Sequence, residues 1–393
     1  MKLFQRLLVA PAALGLLAPV VANANEVNLN EIANYSDIES IEIKSFDNNE
    51  SSLNPLLAGG EGLMDDHDHG SEDSFSSTTA ASFSVDMAIG AVDGNASETV
   101  GTAYGYQIDL STSFTGEDAL SVSLDAGSGA SSLGELDLNS SGDTLMVDGI
   151  TYTFPLGDKT TILIGDSTDG SALYSTACVY GGFTNTLDDC GNYSSAFTSP
   201  SNGATLSASY DIGNGFTAAF GYAGEGTSDG LMTKAGTDMV GGQLSYAGDT
   251  YGLSVTYANV EDASNSYDAN TIEYLNETTS VGLNAYWTPE STGSVPSISV
   301  GYETSDVDGS TTADTTQWFV GLQWDEIGPG TVGVAAGSNG PTASNADELM
   351  AYEAFYSYPV NDGMTITPAV FIKETAGTAD DETGIVVKTS FSF

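Results

Sequence analysis

From residue 80 to the end of the chain, apolar and polar positions alternate with a period of two, and the alternation restarts after each cluster of turn-forming residues. Phe83, Val85, Met87 and Ile89 make one apolar face, Leu253, Val255 and Tyr257 another, and Trp318, Val320, Leu322 and Trp324 a third. Period-two alternation puts such residues on one side of a strand and their neighbours on the other. Counted this way the chain contains about sixteen strands; only Thr161-Ile-Leu-Ile164 leaves its facing open. The last stretch, Gly384 to Phe393, carries Ile385, Val387, Thr389, Phe391 and Phe393 on one side and Lys388, Ser390 and Ser392 on the other. A strand whose apolar face runs to its final residue would template aggregation if its edge stayed open. Closing the sheet into a barrel removes the edge. The expected fold is therefore all-β, an antiparallel transmembrane barrel of about sixteen strands.

The connections agree with a membrane-imposed asymmetry. Every second one is short and rich in turn formers, as at Leu156-Gly-Asp158, Ile212-Gly-Asn-Gly215 and Pro359-Val-Asn-Asp-Gly363. The alternate ones are mostly longer and more acidic. Both ends of an even barrel lie on one side, so the short turns are assigned to the periplasm and the long loops outward. The longest, from about Ser167 to Gly203, is the third outward loop.

Charges test the parity. Asp86, Asp109, Asp125, Glu303, Glu353, Lys373 and Lys388 all fall opposite the apolar face, with Gln107, Gln243, Gln317 and Gln323. A basic residue at the lipid midplane costs ~2–4 kcal/mol, so apolar-out and charge-in is the arrangement a water-filled barrel needs. These seven charges are the candidate pore-lining residues. A soluble β-sandwich would carry charge on its outer face in place of this Gly/Ser/Gln-rich one.

The N-terminal segment is of another kind. Met1 to Arg6 is positive, Leu7 to Val21 is apolar and Ala22-Asn-Ala24 is a small-x-small site, so residues 1–24 read as a secretory signal peptide. Residues 25–79 read as an acidic, largely irregular periplasmic tail, and 80–393 as the barrel. Without residues 1–24 the chain holds 5 Lys, no Arg and 54 acidic residues, a net charge of 5 − 54 = −49. Such a chain is no partner for nucleic acid. In the tail, His67 and His69 among Asp65, Asp66 and Asp68 offer ligand types for a divalent metal, though a solvated linker has the same composition. They are the only histidines, so the strands hold no base for a serine hydrolase, and no enzyme and no cofactor are expected.

The stretches Met1 to Pro19, Ser113-Phe-Thr-Gly-Glu-Asp118, Tyr152-Thr-Phe-Pro-Leu-Gly157, Tyr356 to Pro368 and Val387-Lys-Thr-Ser-Phe-Ser-Phe393 together resemble the outer-membrane porins of marine cyanobacteria. The resemblance implies a diffusion channel of the cell outer membrane for ions and small hydrophilic solutes, carbohydrates included, embedded in outer-membrane lipid and assembled as a homotrimer. Terminal Phe393 resembles the signal read by the barrel-assembly machinery. Many such porins carry a surface-layer-homology domain ahead of the barrel, for which residues 25–79 leave no room. A structural barrel with little channel activity is the alternative.

Cys178 and Cys190, the only cysteines, both lie in the third outward loop. In an exported chain they read as a disulfide, worth about 3 kcal/mol for a loop of this length, or else as two free thiols. The resemblance implies that this loop folds into the lumen, with Asp188 and Asp189 as constriction carboxylates. A loop lying over the mouth would leave both in bulk solvent. Five inward carboxylates against two inward lysines, with no arginine beyond residue 24, make a cation-preferring channel the expectation from the charges themselves.

Overall fold

The computed structural model describes residues 79–393 except 96–97, 130, 140, 192–194, 196–202, 226–229, 234–235, 262–266, 269–272, 275–276, 291–292, 308–313 and 378. Residues 1–24, expected to be a signal peptide, the expected acidic tail up to residue 78 and with it the His67/His69 pair lie outside the described residues.

Sixteen strands form the barrel: β1 (Thr79–Asp93), β2 (Gly101–Thr112), β3 (Ala119–Gly127), β4 (Met146–Pro155), β5 (Thr160–Asp166), β6 (Ala204–Gly213), β7 (Phe216–Gly224), β8 (Asp238–Ala247), β9 (Tyr251–Glu261), β10 (Glu277–Trp287), β11 (Ser297–Val307), β12 (Thr315–Ile327), β13 (Gly330–Ser338), β14 (Met350–Asn361), β15 (Met364–Lys373) and β16 (Glu382–Ser392). Each pairs antiparallel with its neighbour in sequence, and β1 pairs with both β2 and β16, which closes the sheet. At the seam Ser84 stands opposite Ser392, and Phe83 and Phe393 exchange two backbone hydrogen bonds of 2.9 and 3.0 Å. Among the described residues no helix is long and apolar enough to cross a membrane.

Large apolar side chains of the expected parity, among them Met87, Ile89, Leu244, Val255, Leu283 and Val370, are exposed on the outside of the barrel. The ambiguous strand resolves the same way: Ile164 is exposed outside, while Leu163 is buried on the inner face. Aromatic rings gather near the short-turn end, where Phe83 stacks on Phe393 and Tyr152 on Phe154, with centroids 5.6 and 5.4 Å apart.

The short turns have local causes. Between β6 and β7, Asn214 and Gly215 both have positive φ, 56° and 84°, the conformation that a tight hairpin requires and Asn-Gly supplies. Between β2 and β3, one oxygen of Asp118 accepts from Ser113 Oγ, Phe114 N, Thr115 N and Thr115 Oγ1, and the other from Tyr152 Oη at 2.7 Å. Burial alone would raise the pKa of this carboxyl, but Tyr152, Thr115 and Ser113 hold it well below the usual carboxylate range.

Candidate functional site

The inner wall meets two loops. The loop after β5, beginning at Ser167, crosses the lumen and is tied down by inward polar side chains along the way. Ser207 Oγ donates to Gly170 O (2.5 Å). Ser175 N donates to Gln243 Oε1 (2.7 Å), and Gln243 Nε2 donates back to Ser175 O (2.8 Å). Val179 N and Tyr180 N donate to Ser299 Oγ, and Gly181 N to Gln323 Oε1. The returning limb is held by Asn284 Nδ2 on Cys190 O (2.8 Å) and Gln317 Nε2 on Gly191 O (3.2 Å). Cys178 and Cys190 form a disulfide, with Cα atoms 6.4 Å apart, which staples the outgoing and returning limbs.

The firmest anchor is Glu353 on β14. Its Oε1 accepts from Tyr180 Oη (2.7 Å) and Phe183 N (2.9 Å), and its Oε2 from Thr184 N (2.8 Å) and Thr184 Oγ1 (2.6 Å). Glu303 on β11 plays a similar part for the returning limb, accepting from Ser195 N (2.6 Å) and from the wall's own Gln317 Nε2 (3.1 Å). Both carboxyl groups face inward as the parity predicts. They do not line water, however: Glu353 is 3 % exposed and Glu303 1 %. The loop seals them against the wall, because a carboxyl group offers several acceptor sites to the backbone N–H groups of an irregular segment that has no ladder of its own. Gln243 is covered in the same way.

Around these polar anchors lies an aromatic patch on the inner face. Tyr180 packs on Phe319 and Phe355, and Phe183 on Phe355, with centroids 5.5 to 6.1 Å apart. The wall accommodates the rings by using glycine opposite them: a Cβ at Gly333 would stand 2.3 Å from the Phe355 ring, and one at Gly384 2.2 Å from that of Phe371. Sequence reading missed these residues, although Phe319, Phe355, Phe371 and Val386 on the polar parity were the visible signal.

The remaining candidates separate into paired and water-facing groups. Lys373 is ion-paired with Glu135, in the loop between β3 and β4. Lys388 lies 3.9 Å from Asp86 and 5.6 Å from the centre of the Phe183 ring. Both inward lysines thus sit beside a carboxylate. Asp109 accepts from Gln107 Nε2 (2.8 Å) and Ser123 Oγ (2.6 Å), and Asp125 is partly exposed one strand away. Asp188 and Asp189 are exposed on the third loop. They touch water, yet so much protein surrounds them that their charge is poorly solvated. This confinement, with Asp189 alongside and then Asp137 and Glu353, pushes Asp188 up to about 7. Asp189 is raised for the same first reason, then by Glu303 and Asp169. Among the described residues no group of three or more His, Cys, Asp or Glu is arranged to hold a metal ion.

No family model matches the chain, and no curated protein does. Solved structures do. OprB of Pseudomonas putida aligns over 80 % of this chain and 94 % of its own, at 14 % identity and a TM-score of 0.57. An anion-selective porin from Comamonas acidovorans aligns over 80 % and 99 %, at 16 % identity and a TM-score of 0.55. OmpF of Salmonella typhi, solved in complex with daunomycin, aligns over 80 % and 97 %, at 11 % identity and a TM-score of 0.53. The fold of this chain is the closed sixteen-stranded barrel of bacterial outer-membrane porins.

Proposed function

We propose that the protein is an outer-membrane porin, a water-filled channel through which ions and small hydrophilic solutes diffuse passively, and that it prefers cations. The apolar outer face of the barrel suits a lipid surround, and the positive, apolar leader suits export. Phe393 is proposed as the residue by which the assembly machinery recognises β16, and a homotrimer as the working unit.

The observation that carries the cation preference is the pairing of both inward lysines. With Lys373 on Glu135 and Lys388 beside Asp86, the described lumen has no basic group left to set against Asp109, Asp125, Asp188 and Asp189. Fixed negative charge in a confined channel concentrates cations and repels anions. At 0.1 M salt the Debye length is about 10 Å, so charges beside the narrow path act strongly and those on outer loops little. The anion-selective Comamonas porin shares the fold, so charge placement must decide selectivity.

Reversal potentials across a KCl gradient test the proposal. A cation-side value that moves toward zero in Asp188→Asn/Asp189→Asn is expected; a zero or anion-side value at low salt overturns it. The second reading, a structural barrel, draws on the apolar clusters that two loops build inside the lumen. Purified protein that leaves planar bilayers silent would favour it.

A further inference from the structure

The loop between β3 and β4 enters the proposal above only through Glu135, yet the rest of it also lies inside the barrel. Leu133, Leu136 and Leu138 are buried in a notch of the inner wall made by Ala88, Val92, Ala103, Phe371 and Val386. Gly105 and Gly127 line its bed: a Cβ at Gly127 would stand 2.0 Å from Asn139 O. Water would cover this apolar notch if the loop were elsewhere, so burial itself holds the loop in.

Glu135 joins this loop to everything around it. Its side chain pairs with Lys373 of β15 and accepts from Thr186 Oγ1 at 2.7 Å, and its backbone oxygen accepts from Asn185 N at 2.8 Å. Thr186 and Asn185 belong to the third loop, three residues or fewer from Asp188. The two loops therefore meet at one junction, and Lys373 ties it to the wall. Between buried Leu136 and Leu138, Asp137 has a left-handed φ of 46° and is exposed. Burial of the leucines on either side leaves Asp137 exposed between them.

We propose that the second loop forms the other wall of the constriction, with Lys373 as the residue that positions it and Asp137 as a selectivity-determining charge facing Asp188. The inference rests on the channel reading. Asp137 is near enough for its charge to act on Asp188, as the raised pKa of Asp188 reflects. The other charged groups around the gap are Asp189, Glu353, Glu303 and Asp169, with Lys373 and Glu135 at the junction and Lys388 and Asp86 behind Phe183.

Single-channel recording of the full-length protein tests this. Lys373→Met should lose the single stable open level, giving flicker and a raised mean conductance, and Lys373→Arg should restore it. Glu135→Gln approaches the same junction from the loop, so a folding defect of the strand variant leaves the test intact. Asp137→Asn should shift the reversal potential toward zero. If the wild type conducts with cation preference and all these variants match it, the inference falls and the channel reading stands. If the wild type is silent, both fall.

Discussion

Glu353→Ala is expected to free the third loop while leaving the barrel whole. The carboxyl group accepts four hydrogen bonds from the loop, two from backbone N–H groups and two from hydroxyls. Burial, and then the neighbouring Glu353, push the Tyr180 phenol up, so it stays a donor at any working pH. A buried donor left without an acceptor costs ~1–3 kcal/mol. If water entering the vacated space serves about half of them, loop docking weakens by roughly 4 kcal/mol. At about 1.4 kcal/mol per tenfold, the released-to-docked ratio then rises by ~10³. Strand pairing is backbone to backbone, Glu353 opposite Phe371 and Ala335, and needs no side chain. The variant should therefore keep its thermal transition while single-channel conductance and open-channel noise rise and protease begins to cut within the loop. Glu353→Gln should fall between, since its one carbonyl oxygen replaces two acceptors and its amide faces donors. Wild-type conductance, noise and protease resistance in Glu353→Ala would refute the view that this residue anchors the loop.

Three further outcomes are expected. Asp188 is neutral below its pKa of about 7 and charged above it, so cation preference measured by reversal potential should climb as pH rises through 7, and Asp188→Asn should flatten the step. Stability runs the opposite way: with its pKa raised in the docked loop, Asp188 favours docking at low pH, and docking weakens as pH rises towards 7 and Asp188 ionises beside Asp189, Asp137 and Glu353. Reducing Cys178–Cys190 should remove about 3 kcal/mol of loop constraint and broaden the conductance distribution without lowering the melting temperature of the barrel. In thiol mapping, Ser121→Cys should react with water-soluble reagents and Leu244→Cys only with lipid-phase ones, while Gln243→Cys, beneath Ser175, should react slowly if at all.

Strand order, turn positions and the facing of nearly every side chain could be read from the sequence because a barrel wall is governed by nearest neighbours. Alternation fixes the face and turn residues fix the register. Parity tells which side of the wall a residue occupies, but not what covers it. That is why Glu303 and Glu353 read as pore-lining and proved to be buried anchors, and why Lys373 and Lys388 read as pore-lining charges with no partner assigned. Glu135, the partner of Lys373, lies in a loop and follows no period; Asp86 was on the inward parity, but only closure of β1 on β16 brings it to Lys388. The inward fold of the second loop was legible only as an anomaly: three leucines in a segment with no strand pattern, and Phe371 and Val386 on the polar side of their strands.

The seam between β1 and β16 bears on how such a barrel comes into being. Every other seam joins strands that follow one another along the chain, and each can form as a local hairpin. At this one Phe83 waits for Phe393, the most distant backbone pairing among the described residues. Until β16 arrives, β1 presents an open row of backbone donors and acceptors, so the strand exported first is the last to be satisfied. Loop-closure entropy makes such a contact slow. The nascent sheet accordingly has a long interval in which it can pair with another copy of itself, and its yield depends on whatever guards that free edge in the meantime.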